Sequence, residues 1–183
     1  QMRPTMCPRC VRGFVRARGH SRVKYDMDLP FGKLSAKTVS VISKSLSGKR
    51  IAVTGSTGFL GTALVERLLR SVPDCELVLL VRPKRRNSAE RRVQREIFRN
   101  DAFDTLRSQW GDDFDEICER RVSVISGDVT SEGLGLDQTE QQLFASCDVV
   151  IHSAAAVSFD SPLDSSIEIN LLGPNRILDV LKH

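Results

Sequence analysis

Aromatic side chains are scarce, at 5% of the sequence, and Tyr25 and Trp110 are each the only residue of their type. Nucleic-acid binders interleave aromatic with basic residues, and without that pattern no nucleic-acid partner is expected. Long apolar runs are also missing: none approaches the ~18 residues of a membrane-spanning helix. Acidic residues are nearly absent from the first 50 positions, where only Asp26 and Asp28 oppose 12 Lys and Arg, a net charge of +10. The remaining 133 residues carry 15 basic and 21 acidic side chains, a net of −6, so the overall +4 describes an appended arm and not a basic domain.

Residues 1–47 therefore read as a basic N-terminal arm and 48–183 as the N-terminal part of one domain, in keeping with roughly 150 residues per domain. The arm lacks the apolar stretch of a secretory signal. Its charge suits a peripheral contact with anionic lipid, and a solvated tail or upstream sequence ahead of a start at Met27 are the plainer readings. The expected location is the cytoplasm, with membrane association through the arm as the one departure. Within and beyond the arm, Val39, Ile42 and Leu46 fall at helical spacing among lysines, giving a short helix that lies on a membrane surface or packs on the domain. Five cysteines, at 7, 10, 75, 118 and 147, are odd in number and irregular in spacing, which is no disulfide framework. Cys7 and Cys10 form a lone C-x-x-C with only His20 nearby, so no metal is expected.

What is present is a strict alternation. Ile51-Ala52-Val53 is a short buried strand, followed by Thr54-Gly55-Ser56-Thr57-Gly58-Phe59-Leu60-Gly61 and a helix with Leu60, Leu64, Val65, Leu68 and Leu69 inward and Glu66, Arg67 and Arg70 outward. Leu77 to Val81 is apolar on both faces, as a parallel sheet requires. A charged helical region follows, capped by Asn87 with Glu90 and carrying Val93, Ile97 and Phe98 inward, with Leu106 and Trp110 extending it after a break at Asn100-Asp101. Arg121 to Ile125 is a third strand, Glu140 to Phe144 a short helix and Asp148 to His152 a fourth strand. A last helix follows Pro162, and Gly173-Pro174 should kink or interrupt it. The expected fold is α/β, a doubly wound parallel (Rossmann) sheet, incomplete at its C-terminus.

The glycines at 55, 58 and 61 carry the chemistry. Between a strand and an amphipathic helix, Gly55 permits the tight turn and Gly58 lets backbone N–H groups approach a pyrophosphate. Gly61 lets the helix pack close to the first strand. The end of the second strand offers Val81-Arg82-Pro83-Lys84-Arg85-Arg86 and no carboxylate. A carboxylate there would hold a ribose 2′-OH, whereas a guanidinium grips a 2′-phosphate, so NADPH is favoured over NADH, with Arg82 as the contact. Asp128, after the third strand, either accepts a hydrogen bond from the adenine amino group or caps a helix. His152 reads as a packed, hydrogen-bonded residue, and Ala154, Ala155 and Ala156 leave room for a ribose.

These residues together resemble the extended short-chain dehydrogenase/reductase superfamily, through Thr54 to Gly61, Leu80-Val81-Arg82, Gly127-Asp128, His152 to Phe159 and Asn170-x-x-Gly173. Phe103 to Arg107, Gly127-Asp128-Val129 and Leu134-Gly135-Leu136 make the chain similar to the fatty acyl-CoA reductases, the male sterility type of NADP-binding domain, from about residue 48 onward. The resemblance implies an oxidoreductase that uses NADPH to reduce long-chain acyl-CoA to an aldehyde or alcohol. It implies that Gly55, Thr57, Gly58, Phe59 and Leu60 hold the pyrophosphate, that Asp128 and Val129 meet the adenine and that Ala154 to Ala156 line the nicotinamide-side ribose. Asn170 resembles the asparagine that supports the superfamily's proton relay. Alternatives are the reductase domain of a carboxylic acid reductase or peptide synthetase, a sugar-nucleotide epimerase (disfavoured by Arg82) and a noncatalytic NADP-binding sensor or scaffold.

The superfamily works through a Tyr-x-x-x-Lys pair, in which the Lys lowers the pKa of a proton-donating phenol. Tyr25 precedes the fold and is followed four residues later by Leu29. The expectation is a fragment whose catalytic pair lies beyond His183 and which alone is inactive.

Overall fold

The computed structural model describes residues 36–72, 74–158 and 160–182. Tyr25, Cys7, Cys10, His20 and the arm through residue 35 lie outside the described residues, and with them the expectations of a metal-free C-x-x-C and a lipid-facing arm.

Four parallel strands, β1 (Arg50–Thr54), β2 (Glu76–Val81), β3 (Val122–Ser126) and β4 (Val149–His152), form one sheet in the order β3-β2-β1-β4. This is the doubly wound topology expected. The chain steps outward from β1 to β2 and β3, then returns to place β4 on the other side of β1. That reversal opens a crevice beyond the carboxyl ends of β1 and β4, where ligands of such sheets bind. The register pairs Thr54 with both Leu80 and His152, so these three strands end level at the crevice floor.

Period-2 alternation divides the core into two layers. Ile51, Val53, Leu77 and Leu79 face one layer, filled by α2 (Phe59–Ser71), α3 (Ala89–Arg92, running on as a π-helical segment Val93–Phe98), α4 (Asp104–Trp110) and α5 (Phe114–Arg121). Ala52, Val78 and Leu80 face the other, filled by α6 (Gln138–Ala145) and by α8 (Gly173–Leu181), which follows α7 (Leu163–Ile167). Strands buried on both faces explain why β1 and β2 are continuous apolar runs. Ahead of the sheet, α1 (Ala36–Leu46) packs Leu46 against the first layer, and the Ser43 hydroxyl donates to the Ser71 carbonyl at 2.6 Å. Among the described residues, no helix is long and apolar enough to cross a membrane.

Several local expectations are corrected. Leu60, read as inward, is 68% exposed, while Glu66, read as outward, is only 7% exposed. The helix turns that far because Glu66 takes Arg70 as its partner, at 2.5 Å and 3.2 Å, which removes the penalty of a bare buried carboxylate. Ser88, not Asn87, caps α3, accepting the Arg91 N–H at 3.3 Å. The break expected at Asn100-Asp101 is present, and a further one at Gly111–Asp113 separates α4 from α5. Phe98 at the end of the π-helical segment, Phe103 just before α4 and Phe114 at the start of α5 meet edge to face, and Trp110 lies 5.9 Å from Phe114. At Gly173-Pro174 a π-helical segment, Glu168–Leu172, leads into α8, and Pro174 sits in the first turn, where its missing N–H costs nothing.

The described thiols are free, as the cysteine spacing implied. Burial pushes Cys118 up to about 12 and Cys147 up to about 11, which keeps both protonated and unreactive. Beside Cys75, the buried Arg121 guanidinium donates to the carbonyls of Cys75 (3.1 Å), Leu69 (2.9 Å) and Val72 (2.5 Å), so one cation satisfies the C-terminal end of α2 and ties it to β3.

Candidate dinucleotide site

The glycine loop is built from backbone close approaches. Gly55 has φ +70°, and a Cβ there would stand 2.5 Å from the Ala154 nitrogen, so the β1 loop and the chain after β4 touch at this point. At Gly61 a Cβ would lie 2.1 Å from the Gly55 carbonyl oxygen. The close contact that Gly61 permits is therefore with the loop itself and not with the strand. Gly58 donates to the Gly55 carbonyl at 2.9 Å and precedes α2 without a side-chain cap. Thr62 returns from the helix to the Ser56 carbonyl at 3.0 Å. The Ser56 hydroxyl is buried without a partner, the one such side-chain atom among the described residues. An uncapped helix N-terminus 13 residues long, behind a loop from which side chains are excluded, fits a pyrophosphate.

Above the loop lies a cleft of about 260 Å³. It brings together Gly55, Thr57, Gly58, Arg82, Asp128, Val129, Ala154 and Ala155 of the expected residues. The other expected residues fall elsewhere. Gly61 lies beneath the loop, Leu60 is exposed, and Phe59, 97% exposed, lines a smaller cleft of about 140 Å³ on the other side of the loop. Ala156 is held away by Asn170, whose Oδ1 accepts the Ala156 N–H at 2.8 Å and whose Nδ2 donates to its carbonyl at 2.9 Å. Asn170 thus clamps the segment that follows β4.

At the opposite end, the Arg82 guanidinium is 3.6 Å from Asp128 Oδ2, while Asp128 Oδ1 accepts from the backbone N–H and the hydroxyl of Thr130, both at 2.9 Å. Asp128 caps a turn, not a helix, and keeps one oxygen for the cleft. The residue that sequence reasoning missed is Arg92. Buried at the cleft wall, it donates to the Arg82 carbonyl at 2.6 Å and the Thr57 hydroxyl at 3.0 Å, and it pairs with Glu96 at 2.6 Å. It joins the end of β2 to the glycine loop. Hydrogen bonding from Arg92, with Lys84 adding to it, holds the Glu96 carboxyl below its usual range. The only signal in the sequence was the i, i+4 spacing of Arg92 and Glu96 beside the inward Val93.

His152 ends β4 behind Thr54, which lines the cleft. Its Nδ1 lies 2.6 Å from the Thr54 hydroxyl, and burial lowers its pKa from the usual 6.5, so the ring stays neutral and the hydroxyl donates. The unfolded chain then binds a proton more readily, and stability falls as pH drops below about 6.5. A His152→Gln variant is expected to lose less melting temperature than the native chain between pH 7.5 and pH 5.5. Equal losses in a thermal melt at the two pH values would refute this role.

Residues 53–183 match the family of NAD-binding domains described as "Male sterility protein". The chain belongs to the male sterility protein family. Among its relatives are an alcohol-forming fatty acyl-CoA reductase of Simmondsia chinensis, 35% identical over 144 residues (77% of this chain, 29% of the relative), and a fatty acyl-CoA reductase 1 of Xenopus laevis, 34% identical over 139 residues (75% and 26%). Similar solved structures are the terminal R domain of the myxalamid PKS-NRPS pathway, with a TM-score of 0.57 and 30% identity over 73% of this chain and 32% of that one, and a nonribosomal peptide synthetase reductase domain of Mycobacterium tuberculosis, with a TM-score of 0.54 and 29% identity over 80% and 34%. The chain thus spans less than two fifths of the length of the relatives and reductase domains it matches, from 23% to 39%.

Proposed function

We propose that this chain is the cofactor-binding part of an NADPH-dependent fatty acyl-CoA reductase that converts long-chain acyl-CoA to an aldehyde or alcohol. The observation that carries the reading is the glycine loop, too tight for side chains at Gly55 and Gly61, opening onto a cleft in which the residue that follows β2 is Arg82 and not a carboxylate. When bound, the nicotinamide supplies the hydride that reduces the thioester carbonyl. The chain's own residues bind and orient. The N–H groups at the start of α2 and the backbone of Gly55, Thr57 and Gly58 receive the pyrophosphate. Arg82 takes the 2′-phosphate, its carbonyl held by Arg92, and the turn of Asp128 and Val129 meets the adenine. Ala154 and Ala155 leave space for the second ribose, and Asn170 positions the segment that carries them. In this reading the Tyr-x-x-x-Lys pair that donates the proton is supplied outside these 183 residues.

Calorimetric titration tests the cofactor assignment. Arg82→Ala is expected to weaken NADPH binding at least about tenfold while leaving NADH within about twofold, since only NADPH offers the guanidinium a phosphate. Equal losses for both nucleotides refute the assignment. The similarity to peptide synthetase R domains, at 30% identity, supports a second reading as a reductase of carrier-bound thioesters. The whole protein's NADPH consumption with acyl-CoA, compared with the same acyl group on a carrier domain, separates the two.

A further inference from the structure

Between Arg82 and Arg99 the chain holds eight Lys and Arg against two Glu, a net of +6 within a domain that is acidic elsewhere. Arg92 and Lys84 pair with Glu96, and Arg82 faces Asp128, but Arg85, Arg86, Arg91, Arg95 and Arg99 are exposed and form no ion pair among the described residues. Two of these, Arg85 and Arg86, stand three and two positions before Ser88. Kinases that read basic charge select a serine by guanidinium groups at this spacing. Ser88 itself is exposed. Its hydroxyl accepts only the Arg91 N–H at 3.3 Å and donates to Glu90, whose carboxyl it holds below the usual range. Lys84 and Asn87 exchange two backbone hydrogen bonds of 2.9 Å, so the two arginines project from the tip of a tight turn with Ser88 just past its base.

The position couples this serine to the cleft. The Ser88 carbonyl accepts the Arg92 N–H at 3.1 Å, and the guanidinium of the same Arg92 grips the Arg82 carbonyl and the Thr57 hydroxyl. We propose that Ser88 is the acceptor of a basic-directed serine kinase and that its phosphate switches off NADPH binding. The inference rests on the reading of Arg82 as the 2′-phosphate contact. In the transfer, Ser88 Oγ attacks the γ-phosphorus of ATP, the new O–P bond forms as the β–γ bridging bond breaks, ADP leaves and the hydroxyl proton passes to the kinase's base. The resulting dianion lies within three positions of Arg85, Arg86 and Arg91 and is joined to the Arg82 carbonyl through Arg92, with Glu90 the one opposing charge on α3. It forms charge-assisted hydrogen bonds with these guanidinium groups, drawing positive charge away from the end of β2, and it repels an incoming 2′-phosphate. NADH carries no such group and escapes both effects.

The test treats the full chain with the catalytic subunit of cyclic-AMP-dependent protein kinase and MgATP. Mass spectrometry locates the phosphoryl group, and titration of NADPH and NADH follows. One phosphate on Ser88 is expected, none on Ser88→Asn, which keeps the helix cap and the unmodified chain's NADPH affinity. The phosphorylated chain should bind NADPH about tenfold or more weakly, with NADH within about twofold. A folded chain left unmodified while a peptide of residues 82–92 is phosphorylated overturns the site. Complete modification with unchanged NADPH affinity, in a protein whose Arg82→Ala variant is NADPH-selective in its loss, overturns the switch alone. Equal nucleotide losses in the unphosphorylated Arg82→Ala variant overturn the cofactor reading and the switch together, whatever the kinase does.

Discussion

Gly61→Ala is expected to abolish detectable dinucleotide binding and to lower folding stability by roughly 3 kcal/mol or more. The added methyl would stand 2.1 Å from the Gly55 carbonyl oxygen and 2.7 Å from the Gly55 carbonyl carbon and the Ser56 Cα. All three are backbone atoms of a loop already pinned by Thr62 and by contact with Ser153 and Ala154, so no side chain can swing aside. Either α2 lifts off the loop or the loop opens, and both separate the helix N–H groups from the pyrophosphate. Gly48→Ala is the control. Its φ is +68° but nothing lies within 4 Å of the added methyl, so only backbone strain of about 1 kcal/mol is expected, with NADPH affinity unchanged. Urea unfolding with titration of NADPH distinguishes the two; a Gly61→Ala chain that keeps nucleotide affinity within twofold contradicts the cradle.

Arg121→Met should cost about 3–5 kcal/mol of stability while leaving nucleotide affinity of the folded protein intact. Methionine fills a similar volume but removes the shared guanidinium from the carbonyls of Leu69, Val72 and Cys75, leaving Val72 only the Cys75 N–H at 3.3 Å. Arg121→Lys should recover only part, because a single ammonium cannot reach three divergent acceptors. Binding survives because Arg121 sits just before the amino end of β3, and the cleft lies beyond the carboxyl ends of the strands. A denaturation midpoint unchanged by Arg121→Met shows that the cluster contributes nothing. Loss of binding without loss of stability would instead place Arg121 in the site.

The two variants act at opposite ends of one sheet, and legibility in the sequence differs in the same way. Near β1 and the glycine loop the chain was readable, because the constraints are local. A strand apolar on both faces and three glycines before an amphipathic helix leave one way to turn. Away from the loop the local pattern misled. Leu60 looked like a core residue and Glu66 like a surface one, yet Leu60 is exposed and Glu66 is buried against Arg70. Pattern reading counts a carboxylate as outward and cannot see a partner one turn away. Asn87 and Ser88 are both good caps, and the Lys84–Asn87 hydrogen bonds, made across a turn, decided between them. Asn170 stood 14 positions from the segment it clamps.

The alternation of strands and helices, the glycine loop between β1 and α2 and the absence of a carboxylate after β2 were set by the sequence alone, since each follows from period, spacing or residue type within a short window. The tertiary structure decided what those windows could not hold. It buried Arg92 between β2 and the glycine loop, divided Asp128 between a turn and the cleft, and set Ser88 one helical turn before the residue that grips Arg82. The physical reason is that charged groups are placed by partners distant in sequence. A buried guanidinium is stable only where several acceptors converge, and that convergence exists only once the sheet has formed.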